Sequence, residues 1–439
     1  MMKLKQHLID LFRISVPMII GNVGYVLIGV TDVYVAAKHS VNALASIAIA
    51  NSFLFTVLIL GVGLLNGVSI LLSNKRGEKE HTKKYLFSSI IFSQILALLT
   101  LLAILAVTAV IPYCSFSPDI VADIQLYMVI TGFSIFGHFL YQAVKEFLQA
   151  HEIVVFPNVI LFAAVVLNLI FNAVFVFGFW IIPAMGVAGL AVATLIVRTF
   201  LGLIMLFYVR KILVKQSKNR TYNFEYMKKV LKIGFPIGIG LVFECLGFNI
   251  ITVALGRDSS LLAATHNILA TIVEAAFMIP LAVSFAIAIK TGFYNGAKDL
   301  EEVKNYGKAG VIICTAFMSC CSVLFLLNPK LCIKFFTDDI MITELALPIV
   351  TLFAIFEIAD GLQISLGGIL KGLKRTKEVT LCSLGSYWLV GLPLGFFAAY
   401  KMGLSLKGFW IGLTVALFLV AILEFIIIQL SLKRLKKEY

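Results

Sequence analysis

Long apolar runs separated by short polar segments recur along the whole chain. Twelve cover approximately residues 14–36, 43–72, 86–111, 122–145, 158–180, 187–209, 232–255, 260–290, 308–328, 340–370, 378–400 and 407–431. Each is long enough to cross a hydrocarbon core of about 30 Å as a helix. The second, eighth and tenth exceed a straight crossing, which predicts tilt or extension past the bilayer. The pattern predicts an all-α polytopic membrane protein with twelve transmembrane helices. Met1 to Arg13 reads as a short basic amphipathic lead-in with no cleavage site behind it, so no signal peptide is expected.

The polar segments orient the chain. Of the 36 Lys and Arg residues, 29 fall in the even-numbered connections and the two tails, six fall in the other loops, and Arg198 stands alone inside a span. Basic residues concentrate on the cytoplasmic side, so both termini are expected in the cytoplasm of a multi-pass plasma-membrane protein. Composition agrees, with 61% hydrophobic and 13% charged residues. The net charge of +13 follows this topology and does not signal nucleic-acid binding. Seven cysteines, five of them in spans, show no metal-ligand spacing and read as packing residues. Cys114 and Cys332, at matching places in outer loops, are expected as free thiols. No resident cofactor is expected, and the bilayer is the chain's expected partner.

The chain repeats itself. Ile14-Ser-Val-Pro-Met-Ile-Ile-Gly21 recurs as Ile233-Gly-Phe-Pro-Ile-Gly-Ile-Gly240, Gly77 answers Gly296, Asp119-Ile120 answers Asp339-Ile340, and Met185-Gly186 answers Met402-Gly403. A nearly constant offset over four pairs indicates duplication. Six spans per half keep both halves in one orientation, related by a pseudo-two-fold along the membrane normal with a site at their interface. The expected division is an N-lobe over 1–210, a cytoplasmic linker over 211–231 and a C-lobe over 232–439. Pro17, Pro236, Pro280 and Pro348, with Gly61, Gly63 and Gly67, are either ordinary transmembrane usage or sites of bending during alternating access.

Four acids interrupt the apolar runs of the second half: Glu244, Glu274, Glu357 and Asp360. An ionised side chain at bilayer depth costs roughly 2.5 kcal/mol or more, so several together call for a bound cation or proton. Glu357 and Asp360 are three apart and share a helical face, with Phe356 and Gln363 beside them. Glu244 shares a face with Gly240, Gly247 and Phe248, and Glu274 lies one turn from Phe277 and Met278. Glu424, nearer the cytoplasmic end of its span, can snorkel and is left out of the set. The acids break the repeat: Asp32 is the only membrane acid read in the first half. Asn168 and Asn172, four apart, line one face either as interhelical glue or as a polar wall. Arg198 needs an anion, which could be Asp32. His138 and His266 fit no metal spacing. The residues point to a cation-coupled transporter, not an enzyme, with H+ or Na+ as the coupling ion.

These same residues carry a family resemblance. Gly234-Phe-Pro, then Glu244 and Ala264-Thr-His-Asn267, resembles the seventh and eighth spans of multidrug and toxic compound extrusion (MATE) transporters of the NorM-like branch. Phe353-Ala-Ile-Phe-Glu-Ile-Ala-Asp360-Gly-Leu-Gln363 with Gly368-Ile-Leu-Lys-Gly372 is similar to the tenth, and Tyr387-Trp-Leu-Val-Gly-Leu-Pro393 to the eleventh. Thr31-Asp32 and Leu167-Asn168-Leu-Ile-Phe-Asn172 match in the first half. The resemblance implies a two-lobed antiporter, functional as a monomer, that exports amphipathic, mostly cationic compounds. It places Glu244 and Asp360 at a C-lobe cation site, where Na+ would be held, and Asp32 at an N-lobe proton-linked site; Asn168, Asn172, Phe356, Gln363, Phe248, Phe277 and Met278 are the expected lining of a substrate cavity. Relatives often carry Tyr where Phe356 stands, and Glu357 is an added acid; both bear on which ion is used. A lipid-linked oligosaccharide flippase of the same wider superfamily is the alternative, and it would favour a basic cavity.

Overall fold

A computed structural model of the chain describes residues 2–114, 116–213 and 222–438. Among them it is almost entirely helical, as it must be if the backbone is to satisfy its own hydrogen bonds in lipid. Eleven helical stretches are long and apolar enough to span a membrane, and a bent pair makes a twelfth. The elements are α1 (Met2–His39), α2 (Val41–Gly77), α3 (Leu86–Val110), α4 (Pro118–Phe133), α5 (Ile135–Gln149), α6 (Val155–Phe177) and α7 (Val187–Leu213). There follow α8 (Phe224–Asp258), α9 (Ser260–Gly296), α10 (Leu300–Leu327), the short α11 (Pro329–Lys334) and α12 (Ile340–Ala346), α13 (Val350–Gly372), α14 (Thr376–Leu384), α15 (Leu392–Phe396) and α16 (Ser405–Glu438). Each expected span has its counterpart. The eleventh is α14 and α15 joined by a π-helical stretch, Gly385–Gly391, with a second one at Phe397–Lys401.

Several expectations change in detail. Residues 214–221 of the expected linker lie outside the described residues; of the others, 211–213 end α7 and 224–231 begin α8. The Asn223 side chain starts α8 by accepting from the Tyr226 amide at 2.8 Å. The fourth span is the bent pair, with a 43° turn at Ser134. No proline is there. Ser134 Oγ donates to the Thr131 carbonyl at 2.5 Å, a back-bond of the kind that bends helices. Pro348 breaks the tenth span between α12 and α13 through a short 3₁₀ turn, Leu347–Ile349, whereas Pro17, Pro236 and Pro280 lie inside continuous helices.

The repeat is visible locally. Gly186 and Gly403, the paired glycines before α7 and α16, both hold positive φ, +55° and +69°, which glycine adopts without a steric penalty. All seven cysteines are free.

The chain divides into two compact units. One comprises residues 17–76 and 80–238, the other residues 1–16, 77–79 and 239–439. In the first, α7 packs on α4, α5 and α6, and α3 packs on α5. The start of α8 crosses α2 closely: a Cβ on Gly63 would stand 2.4 Å from the Gly238 Cα, and one on Gly234 would stand 2.1 Å from the Leu64 carbonyl oxygen. Gly63 and Gly67 of α2 and Gly234 and Gly238 of α8 are thus notches that let two backbones touch; they tighten this crossing rather than loosening it.

In the second unit α13 packs on α9, α10 and α16. Its core is aromatic: Trp410 stacks edge-on to Phe356 at 5.3 Å and to His266 at 5.8 Å, and lies 5.6 Å from Phe353. The start of α1 is fastened here, His7 Nε2 to Glu302 at 2.6 Å and Asp10 accepting from the Tyr306 hydroxyl at 2.9 Å.

Candidate functional site

In the first unit the site gathers at Asp32, which is 3% exposed. One carboxylate oxygen accepts from Asn172 Nδ2 of α6 at 2.7 Å; the other accepts from Thr194 of α7 at 3.2 Å and the Tyr127 hydroxyl of α4 at 3.3 Å. Three helices therefore donate to an acid on a fourth. Tyr127 also lies 3.3 Å from Asn51 Oδ1; a hydroxyl has one proton, so it serves one of these acceptors at a time. Asn168 accepts from Asn172 at 3.1 Å and from Thr31 at 2.5 Å. Asn168 and Asn172 are fully buried, so they belong to the Asp32 network and do not line an open wall. Arg198 donates to Ser134 Oγ at 3.1 Å, and its charge acts on Asp32.

The first unit holds a second buried acid that the sequence reading passed over. α5 continues to Gln149, and Glu146, one residue past the expected end of the fourth span, is buried. Its Oε1 accepts from Gln142 at 3.0 Å and from the Asn66 amide at 3.1 Å in the orientation that satisfies both ends of that amide.

In the second unit the four expected acids do not converge as one cluster. Glu244 on α8 and Glu274 on α9 are exposed, and Glu357 and Asp360 on α13 are buried. The charge of Glu244 acts on Asp360, which brings these two into one neighbourhood, and Lys371 acts on Glu244. Glu357 is 0% exposed with neither carboxylate oxygen bonded; it neighbours Asp360 and Cys321 of α10. Glu274 lies beside Cys245, as Glu244 does. Phe356 is 2% exposed and packed against Trp410. It is a core residue, not a cavity residue. Phe248, Phe277, Met278 and Gln363 remain half-buried, with Phe248 stacked on His266 at 6.2 Å.

Comparison with known proteins places this arrangement. A family model, MatE, matches residues 17–174 and 236–397, one stretch in each half of the chain. The chain belongs to the MatE family. Members of this family are transport proteins, so the chain is a multi-pass membrane transporter and not an enzyme. It is 28% identical over 437 residues to a probable multidrug resistance protein NorM of Mesorhizobium japonicum, covering 95% of this chain and 93% of that one. A protein of the same name from Photorhabdus laumondii is 26% identical over 442 residues, covering 97% and 96%. Among solved structures, the Vibrio cholerae MATE transporter VcmN in its bent form superposes with a TM-score of 0.88 at 17% identity over the full length of both chains. A MOP superfamily transporter from Pyrococcus furiosus, described as having a binding pocket of reverse polarity, gives 0.87 at 16% identity, covering 98% of this chain and 97% of that one.

Within this MatE chain two further residues belong to the acidic neighbourhood. Glu424 of α16, left aside as a snorkelling acid, is 0% exposed with neither carboxylate oxygen bonded. A Cβ on Gly367 of α13 would stand 3.4 Å from its Oε1, so the missing side chain makes its room. Tyr387, in the π-helical stretch, feels the charges of Glu244, Asp360 and Glu424 alike. Stretches of π-helix often mark functional sites. As an uncharged side chain on an unrelated helix, Tyr387 gave no sequence signal, whereas Glu424 was legible as an acid within an apolar run. Among the described residues no group of three His, Cys, Asp or Glu is placed to hold a metal ion, so Na+ here would need Tyr387 or other oxygens beside Glu244 and Asp360.

Proposed function

We propose that the chain is a multidrug efflux antiporter of the cytoplasmic membrane, with both termini in the cytoplasm, acting as a monomer. It exports amphipathic, mostly cationic compounds by alternating access in exchange for H+ or Na+. The names of the NorM relatives support multidrug export, and the charge pattern of the loops supports the orientation. The observation that carries the reading is a buried acid, Asp360 of α13, acted on by the charge of Glu244 on another helix. Two like charges at bilayer depth, one of them buried, require neutralisation. An arriving proton or Na+ supplies it, and so does a cationic drug. A drug and an ion that neutralise the same pair exclude one another, and this exclusion is the coupling that antiport needs. Asp32, in the other unit, is a second acceptor for a proton: neutralising it removes the reason for Tyr127 to point at it and frees that hydroxyl for Asn51. Arg198 is already engaged with Ser134 and acts on Asp32, which counts against the basic lining that a flippase of lipid-linked oligosaccharides would use.

The test is uptake of a fluorescent amphipathic cation into proteoliposomes under an imposed H+ gradient and, separately, an imposed Na+ gradient. Uptake driven by one gradient and stalled without it is the expected result. Uptake indifferent to both would overturn the proposal.

A further inference from the structure

Lys371 and Glu424 are ionisable groups whose presence inside the second unit nothing so far explains. Lys371 lies on α13 one turn beyond Gly367, the residue over which the Glu424 carboxylate sits. Residues four apart share a helix face, and a helical side chain leans back over the turn that precedes it. The flexible four-carbon stem of Lys371 thus leans toward Glu424. The ammonium acts on Glu424 of α16 and on Glu244 of α8, yet it forms no ion pair with either among the described residues. Both oxygens of Glu424 are buried and without a partner. A lysine serving only to neutralise Glu424 would bond it directly, as Lys75 bonds Glu80 in the loop after α2. The other charged or titratable groups in this neighbourhood are Asp360 of α13, Tyr387 of the π-helical stretch and Glu378 and Cys382 of α14.

We propose that Lys371 is a tethered cation shared between two acids: it pairs with Glu244 when the Glu244–Asp360 pair carries no ion, and moves onto Glu424 when an ion or a cationic substrate arrives. Glu424 is then the acceptor that makes ion binding reversible. It lowers the cost of displacing the lysine, and the lysine in turn prevents the acids from holding their ion permanently. This rests on the antiport reading above and adds to it an internal competitor.

The test uses purified full-length protein, with Trp388 and Trp410 as intrinsic fluorescence reporters, titrated with NaCl at fixed pH and with acid at fixed Na+. Whichever cation gives a saturable change in the wild type is the probe. Lys371→Met removes the competitor and is expected to tighten apparent cation binding of order tenfold. Glu424→Gln leaves the lysine nowhere else to go and is expected to weaken binding by a similar factor. In the double variant Lys371→Met/Glu424→Gln the second change is expected to have no further effect, because Glu424 acts only through the lysine. Lys371→Arg, which keeps the charge, shows by melting temperature that the site tolerates a variant side chain. An equal loss from Glu424→Gln with and without Lys371 would show a merely structural acid and overturn the proposal, as would Glu424→Gln binding like the wild type. A wild type with no saturable response to either cation would overturn the antiport reading as well, which separates the two failures.

Discussion

At the scale of single residues the two units make different demands on a carboxylate. Glu244→Gln or Asp360→Asn removes a charge from a pair on two helices of one unit. Each change is expected to abolish gradient-driven efflux while leaving the melting temperature near that of the wild type, because the amide is nearly isosteric. Full transport by both variants in proteoliposomes would exclude this pair as the coupling site. Asp32→Asn is a gentler change. Its amide meets three donors, but the hydroxyls of Tyr127 and Thr194 can turn to accept. The expected result is weakened transport with a shifted pH dependence and intact cation binding in the other unit; a titration showing no cation binding at all would contradict it. Outside the membrane, Glu80 gives a separate pH prediction. Burial alone would raise its carboxyl, but hydrogen bonds from Lys75, Lys84 and Tyr85 outweigh this and hold it at about 2. A depressed carboxyl stabilises fully above its ordinary value of 4.5 and loses that contribution as pH falls toward 2. Glu80→Gln should therefore lower the melting temperature by a constant amount between pH 5 and pH 8, with the difference shrinking below pH 4.5. Sequence carried much of this chemistry. Asp32, Glu244 and Asp360 stand out because an acid inside an apolar run has few innocent explanations. Tyr127, Thr194 and Tyr387 do not stand out, because hydroxyls are common in spans and only three-dimensional packing shows which of them face an acid.

At the scale of elements, spans were legible and their irregularities were not. Apolar length determines where a helix can cross, but the 43° bend at Ser134 depends on a hydroxyl finding a carbonyl, and proline positions pointed elsewhere. The glycines of α2 were legible as glycines yet not as a crossing, since their partners Gly234 and Gly238 lie far along the chain. Their role is open to a direct test. A Cβ at Gly63 meets the backbone of α8, which has no side-chain rotamer to yield, and overpacking of this kind typically costs about 1–3 kcal/mol. Gly63→Ala should lower the melting temperature measurably. Gly29 of α1 has nothing within 4 Å of its Cβ direction, so Gly29→Ala should hold or raise stability through the better helix propensity of alanine, by about 0.5–1 kcal/mol. Equal melting temperatures for the two variants would rule out the notch.

At the scale of the whole molecule, α1 and α8 each contribute to both units: α1 changes unit between Val16 and Pro17, and α8 between Gly238 and Ile239. The consequence concerns time of synthesis. A ribosome makes the chain from one end, yet the unit built mostly from the first half lacks a wall until Gly238 has been made. The first sixteen residues must meanwhile wait for Glu302 and Tyr306 before they gain their hydrogen bonds. Neither half of the gene product is then a finished module. Each half expressed alone, cut within residues 214–221, is expected to be degraded. The two fragments expressed together should restore drug efflux, because each brings the segment that the other's unit is missing. Stable accumulation of the first fragment by itself would show that the start of α8 is dispensable. A duplicated sequence of this kind has given up the independence of its copies, and its membrane insertion must hold two incomplete bundles open until the second half arrives.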